Sequence, residues 1–458
     1  MSQLDQPRFR PYGRKRIDTL PQLEGISRDQ RIALKAVSAV VPFRVNAYIL
    51  DELIDWDDIP ADPIYQLTFP QAGMLEHSEF VRMQDLVVSG ADSVQLERAA
   101  RLIQMRMNPH PAGQLELNVP MLEGEPLPGC QHKYRETVLY FPMQGQTCHA
   151  FCTYCFRWPQ FVGLERMRFA SGEARQLVAY LERHTEVTDV LLTGGDPMIM
   201  SSRVLRRILE PLLGKSLEHV QSIRIGSKVL SHWPYRFTTD PDSDDVLRLF
   251  EQVRSAGRRL SFMAHFSHPR ELQPREAERA MRRILATGAV IRTQAPLLHH
   301  INDDPDCWAE MWNRQVRLGA VPYYMFVARD TGPRHYFEVP LARGLRIFTA
   351  AYSRVSGLAR TVRGPSMSAT PGKVLVDGVA SIRGEKVLVL KMIQGRDTSW
   401  VNRVFFARFD SQAAWLDELR PAFGDQEFFF ETYLRALESR SWIPEWQEDD
   451  DLSVCEGA

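Results

Sequence analysis

Between about residues 132 and 365 short apolar runs alternate with amphipathic segments of helical period, and this alternation constrains the fold more than any other feature of the chain. The runs predict strands at Val138–Met143, Asp189–Thr193, Ser222–Ile225, Leu260–His265, Val290–Gln294, Pro322–Val327 and Ala359–Val362. The intervening periodicity predicts helices at Ala174–His184, Arg203–Leu213, Asp244–Ala256, Glu276–Ala286, Cys307–Leu318 and Leu341–Val355. Strands separated by helices pair in parallel, because a parallel pair needs a crossover. Six or seven such units make a partial or full barrel, whose functional residues stand on loops after the carboxyl ends of the strands.

The flanks read differently. Residues 1–125 form a helical segment: Ser27 is an N-cap for the apolar pattern Ile32–Val41, Pro42 stops it, and a second helical run covers Val45–Leu53. The Pro- and Gly-rich stretch 109–131 reads as a linker. The core is expected over 126–375. An extension over 376–458 carries strand-like alternation (Lys373–Ser381, Lys386–Ile393), then a helix at Ala413–Leu419, and ends in an acidic tail, Gln447–Ala458. The expected fold class is α/β: a partial (β/α) barrel with a helical amino-terminal segment and a carboxyl-terminal extension.

The first predicted strand runs into Cys148-His149-Ala150-Phe151-Cys152-Thr153-Tyr154-Cys155. Thiolates are soft ligands for iron–sulfur clusters, zinc or copper, and structural zinc takes four protein ligands. Cys130, Cys307 and Cys455 stand at no partnering spacing. Three thiolates suit a 4Fe–4S cluster with one iron left open to a small molecule. The plain alternative is three cysteines packing as small apolar groups. The C-x3-C-x2-C spacing resembles that of the radical S-adenosylmethionine enzymes. After the second strand come Gly194, Gly195, Asp196 and Pro197. Paired glycines admit a close backbone approach, and Asp196 offers a carboxylate to an ammonium; taken alone the tetrapeptide is a turn. It also resembles that superfamily's Gly-Gly-Asp/Glu feature, which meets the methionine amino group. His265 and His268 invite a metal reading, but no third ligand stands at a recognisable spacing.

Composition narrows the partners. With 458 residues, 44% hydrophobic and 25% charged, the chain has the balance of a globular protein. A formal charge of −1 gives no case for nucleic acid or an anionic membrane. No secretory h-region and no membrane-spanning run are present in the sequence, so a reducing cytoplasm is the expected home.

Further segments, in order, resemble the lysine 2,3-aminomutase family: Cys155-Phe156-Arg157, Arg224-Ile225-Gly226-Ser227, His265-Phe266-Ser267-His268-Pro269, Leu297-Leu298-His299-His300-Ile301-Asn302-Asp303, Pro322-Tyr323-Tyr324, and Ser356-Gly357 through Pro371-Gly372-Lys373. The resemblance spans roughly residues 10–400. It implies a 4Fe–4S cluster on Cys148, Cys152 and Cys155, S-adenosylmethionine, and pyridoxal phosphate. It also implies transfer of an amino group between adjacent carbons of a free amino acid, with lysine the leading substrate. Lys373 would hold pyridoxal phosphate as a Schiff base, Arg157 the substrate carboxylate, and Asp303 a distal ammonium. Gly194, Gly195, Asp196, Ser227 and His265 would serve the nucleoside or cofactor. An electron donor such as flavodoxin or ferredoxin and a homo-oligomeric assembly are further implications.

Three departures stand out. The approach to Lys373 is Ser366-Met367-Ser368-Ala369-Thr370-Pro371-Gly372, where the family is glycine-rich. Two family arginines that serve cofactor anions correspond to Lys133, which keeps the charge, and Thr137, which loses it. Strand alternation would turn Arg135, between them, to the same side, so Lys133 and Arg135 are the candidate cofactor-binding cations. The second ammonium-binding aspartate would fall at Arg329, so either Asp330 takes its place or a cation does, and then the substrate is not lysine. The alternatives are a mutase for arginine or another amino acid, a relative acting on a lysine within a translation factor, a radical enzyme of this fold catalysing a rearrangement, elimination or decarboxylation without pyridoxal phosphate, and a non-enzymatic carrier of the cluster.

Overall fold

In a computed structural model the described residues are 7–439, apart from 110, 114–115, 164–168 and 173. The acidic tail and Cys455 lie outside them. Eleven strands form one sheet in strict chain order: β1 (Cys130–Tyr134), β2 (Thr137–Tyr140), β3 (Asp189–Leu192), β4 (Ser222–Ser227), β5 (Arg259–His265), β6 (Val290–Leu297), β7 (Val321–Val327), β8 (Arg363–Ser368), β9 (Gly372–Ile382), β10 (Glu385–Gly395) and β11 (Val404–Arg408). From β2 to β8 every pairing is parallel. Helices Ala174–Arg183, Ser202–Leu209, Ser243–Ser255, Arg275–Ala286, Pro305–Arg317 and Leu341–Ser353 supply the crossovers between these strands. The first pair and the last three pairs are antiparallel.

Period-two alternation sorts the parallel strands into two faces. Val190, Leu192, Ile223, Ile225 and Ile291 are fully buried in the apolar core. The residues between them, Leu191, Arg224, Gly226, Gln294 and Pro296, line a cavity. The sheet is open in its hydrogen bonding, with β1 and β11 at its edges. It nevertheless curls, because Lys133 on β1 donates to the Ala369 carbonyl in the β8–β9 turn, and Arg396, just past β10, donates to Leu117 O at 3.0 Å.

The amino-terminal segment opens its first helix, Arg28–Val37, with a capping box between Ser27 and Gln30. The helix expected at Val45–Leu53 is instead a strand, Arg44–Asn46, paired with Pro11–Gly13, followed by a π-helical turn, Ile49–Leu53. One apolar core runs from Ile17 to Val362. A second, from Val327 to Phe430, packs under β8 to β11. Two further expectations fail. The strand read at Ala359–Val362 begins instead at Arg363, the first residue that pairs with β7, opposite Tyr324. Ala413–Leu419 holds only a single 3-10 turn, Leu416–Glu418, because the Ala413 carbonyl accepts from Leu341 N instead of from an amide of its own segment. Among the described residues no helix is long and apolar enough to cross a membrane.

Candidate active site

The concave face of the sheet encloses a cavity of about 360 Å³, lined from β1 round to β10. Cys148, Cys152 and Cys155 all open onto it and none forms a disulfide. Burial pushes all three thiols up. Cys152 rises to about 12, and at Cys148 the neighbouring Asp196, Cys155 and Cys152 add to the effect. Soft donors held apart from solvent in this way become thiolates only beside a cationic centre. Among the described residues no three His, Cys, Asp or Glu side chains close around a point as they would around one ion. A cluster asks something different, since each thiolate meets a separate iron.

The cysteine loop is clamped from two sides. From the amino-terminal segment, Arg44 Nη1 donates to Thr147 Oγ1 at 2.7 Å and to Cys148 O at 3.2 Å. Asn46 Nδ2 donates to His149 O at 3.2 Å, and Thr153 N donates to Leu67 O at 2.9 Å. On the other side lies the loop after β3. Gly194 has φ +143°, and a β-carbon there would meet Gln146 Nε2 at 2.4 Å. Asp196 N donates to Thr147 O at 2.7 Å. The glycines therefore admit the cysteine loop as well as lining the cavity. The Asp196 carboxylate is 3% exposed and already occupied: it accepts from Ser227 Oγ at 2.7 Å, Met198 N at 2.9 Å and Lys228 N at 3.0 Å. Burial raises it to about 6 against these bonds. Asp196 and Ser227 thus join the β3 and β4 loops.

At the other end of the cavity stands Lys373, the second residue of β9. Its ammonium lies 4.3 Å from the Tyr324 ring centre. Burial, then Arg224 and Arg363, lower it to about 7, against a smaller pull from Asp189. The approach expected to cradle a phosphate is a β-hairpin whose backbone pairs Ser366 with Leu375 and Ser368 with Lys373. Gly372 serves this pairing, since a β-carbon there would meet Gln394 O at 2.1 Å. Lys133 and Thr137 line the cavity, and Thr137 Oγ1 donates to Asp189 at 3.1 Å. Arg135 does not join them. Tyr134 pairs with Thr137, so Arg135 and Glu136 form a two-residue hairpin turn that breaks the alternation and leaves Arg135 exposed.

Arg157 is 7% exposed, lies 3.8 Å from the Phe141 ring centre and lines the cavity. Burial lowers it to about 9. The two aspartates expected to hold a distal ammonium lie elsewhere. Asp303 pairs with His299 Nδ1 at 2.8 Å and Arg343 Nη2 at 2.6 Å, outside the cavity lining. Asp330 faces a separate hollow with Asn108 and Arg334. Arg329 lines the main cavity instead, because along β7 and its loop one residue of shift exchanges the faces.

His265 lines the cavity with Nε2 2.7 Å from Gln294 Nε2, and burial lowers it to about 3. His268 caps the turn Pro269–Leu272 by accepting from Arg270 N at 3.2 Å. Among the described residues the two histidines join no metal-binding group. Sequence reasoning passed over Lys228, which lines the cavity and pairs with the fully buried Glu271 at 2.6 Å. It also passed over the Arg224–Asp189 pair, with Arg224 Nε donating at 2.8 Å. Both cations sit inside or next to residues 224–227, a segment that carries the family resemblance.

No family model matches the chain. A protein of Aquifex aeolicus assigned as an L-lysine 2,3-aminomutase is 29% identical over 405 residues, covering 88% of this chain and 94% of its own. The L-lysine 2,3-aminomutase of Fusobacterium nucleatum is 28% identical over 237 residues, 52% of each chain. The glutamate 2,3-aminomutase of Clostridioides difficile is 24% identical over 343 residues, covering 75% of this chain and 69% of that one.

Proposed function

Because the chain belongs to the lysine 2,3-aminomutase family, we propose that it is a radical S-adenosylmethionine enzyme that moves the α-amino group of a free amino acid to the adjacent carbon. The observation that carries this reading is a single cavity lined at one end by Cys148, Cys152 and Cys155 and at the other by Lys373. The curved sheet is read accordingly as a partial (β/α) barrel.

The donor sets fit the groups that the family name implies. Three soft thiols suit a cluster with one open iron. A lysine amine lowered to about 7 is available as a nucleophile for the aldehyde of pyridoxal phosphate near neutral pH. When bound, the cluster and S-adenosylmethionine supply a radical able to take hydrogen from an unactivated carbon, and pyridoxal phosphate delocalises the unpaired electron while nitrogen changes carbon.

The protein's own part is positioning. Arg157, fixed by its stack on Phe141, offers parallel N–H donors to the α-carboxylate and so sets the rotation of the amino acid in the cavity. Phe151, Phe156 and Phe326 line the walls and keep water away from a reactive centre. Asp196, through Ser227 and the backbone of the cysteine loop, holds the cysteine end and the β4 loop in one frame. The electron would come from a small donor such as flavodoxin or ferredoxin.

Names in the family include both a basic and an acidic amino acid. For lysine, the substrate with which the resemblance leads, Asp196 is the one carboxylate among the described cavity-lining residues, and it is committed to Ser227 and two amides. A second reading, radical chemistry without pyridoxal phosphate, is favoured by the hairpin that replaces a glycine-rich phosphate loop. One experiment addresses both: anaerobic reconstitution with iron, sulfide, reductant, S-adenosylmethionine and pyridoxal phosphate, then incubation with single amino acids. The mutase reading expects 5′-deoxyadenosine and a β-amino acid, both dependent on pyridoxal phosphate. Deoxyadenosine with a product independent of pyridoxal phosphate supports the second reading and overturns the first.

A further inference from the structure

The charges facing the cavity are lopsided. Among the described residues Lys133, Arg157, Arg224, Lys228, Arg329 and Lys373 line it, against the lone carboxylate of Asp196. Lys228 is answered by Glu271, and Arg224 by Asp189 behind the lining. Arg329 has only a long ion pair, with Asp330, and no hydrogen bond among the described residues. Its Nε is buried without a hydrogen-bond partner, and the carboxylate oxygen nearest to it, Asp330 Oδ1, stands 3.9 Å away. Like charges stand near it: the Arg329 charge lowers both Arg157 and Lys133, while Asp330 acts on Arg329 in the opposite sense. A guanidinium partly withdrawn from water near other cations is costly unless an anion comes to it.

Resting on the aminomutase reading, we propose that Arg329 selects substrates whose side chain ends in a carboxylate, so that the preferred amino acids are acidic rather than basic. Arg157 takes the α-carboxylate and Arg329 the second one. The guanidinium of Arg329 lies 5.2 Å from the Phe156 ring centre and 6.0 Å from that of Trp415. With these rings nearby, the in-plane N–H donors of Arg329 suit a planar, bidentate acceptor. Lysine or arginine would bring a third like charge to this end, with Asp303 held by His299 and Arg343 and Asp330 facing the separate hollow. Neutral glutamine matches glutamate in shape but lacks the charge.

The test uses the reconstituted holoenzyme with L-glutamate, L-aspartate, L-glutamine and L-lysine, together with equilibrium dialysis of labelled glutamate and lysine. The expected result is a kcat/KM for the better acidic substrate roughly 100-fold or more above that for glutamine or lysine, as a site built around one charged partner gives. In Arg329→Gln that ratio falls to near one, mainly through KM, and Arg329→Lys restores part of it. Lysine preferred by the wild type, or equal use of glutamate and glutamine, overturns the proposal and leaves the mutase intact. So does an Arg329→Gln variant that loses bound pyridoxal phosphate and slows on every substrate alike, because Arg329 would then belong to the cofactor phosphate. Glutamate retained in dialysis through Arg329 with no β-amino acid formed supports the proposal and overturns the mutase reading instead.

Discussion

A β-carbon on Gly195 would lie 2.5 Å from both the amide nitrogen and the carbonyl oxygen of Thr147. The loop after β3 and the cysteine loop are therefore in backbone contact, with Asp196 N reaching Thr147 O at 2.7 Å. Gly195→Ala must push backbone against backbone, which costs about 1–3 kcal/mol in a packed interior. The expected outcome is normal far-UV circular dichroism with at least a two-fold loss of iron bound after reconstitution. Iron content equal to that of the unaltered protein would show that the contact does not hold the cysteines in place.

Glu271 is fully buried and accepts from Lys228 Nζ at 2.6 Å and His268 N at 2.9 Å, as well as from Ser267 N and Ser231 Oγ. Glu271→Ala removes the only carboxylate among the described residues that pairs with the Lys228 ammonium and strips the other donors of their acceptor, at a cost of about 3–5 kcal/mol. Glu278 pairs with Arg282 on the surface, and Glu278→Ala costs less than about 1 kcal/mol. Urea unfolding of the two variants measures the contrast. Equal midpoints would refute it.

Arg157→Lys keeps the charge but loses the flat stack on Phe141 and the paired donors. KM for the amino acid should rise roughly 10- to 100-fold, while the affinity for S-adenosylmethionine changes far less. A variant with the parent KM would place the α-carboxylate elsewhere.

Lys373 carries a pH dependence of definite sign. Its folded value is lowered from 10.5 to about 7, mainly by burial. Between these values the unfolded chain holds a proton that the folded chain does not, so this group makes the fold more stable as pH rises from 7 towards 10.5. The free amine becomes available as pH rises through about 7. Attachment of pyridoxal phosphate, followed by its visible absorbance, should rise with a midpoint near 7 and vanish in Lys373→Ala. A midpoint near 10 would mean that the amine is solvated like a surface lysine.

Much of this was legible in the sequence, for physical reasons that differ by residue. The Cys148, Cys152 and Cys155 spacing is local, and so is the period-two pattern that buries Ile223 and Ile225 while turning Arg224 to the cavity. Ser27 with Gln30 is a cap read from three residues of separation. Arg135 was misplaced because a two-residue turn and a continuing strand look alike until the partner strand is known. Residue type alone offers Asp196 to an ammonium, yet its carboxylate is taken by Ser227 and Lys228, whose approach depends on β4 lying beside β3.

What the sequence determined alone was chemistry carried by residue type and short spacing: three soft donors on one loop, the order of strands and helices, and the guanidinium two residues past the last cysteine. Tertiary structure decided which charges share a space. Asp303 and Asp330 turn away while Arg329 turns in, and this reverses the sign at one end of the cavity. Coulomb energy depends on distance through the fold, and residues far apart in the chain become neighbours only once the sheet curls.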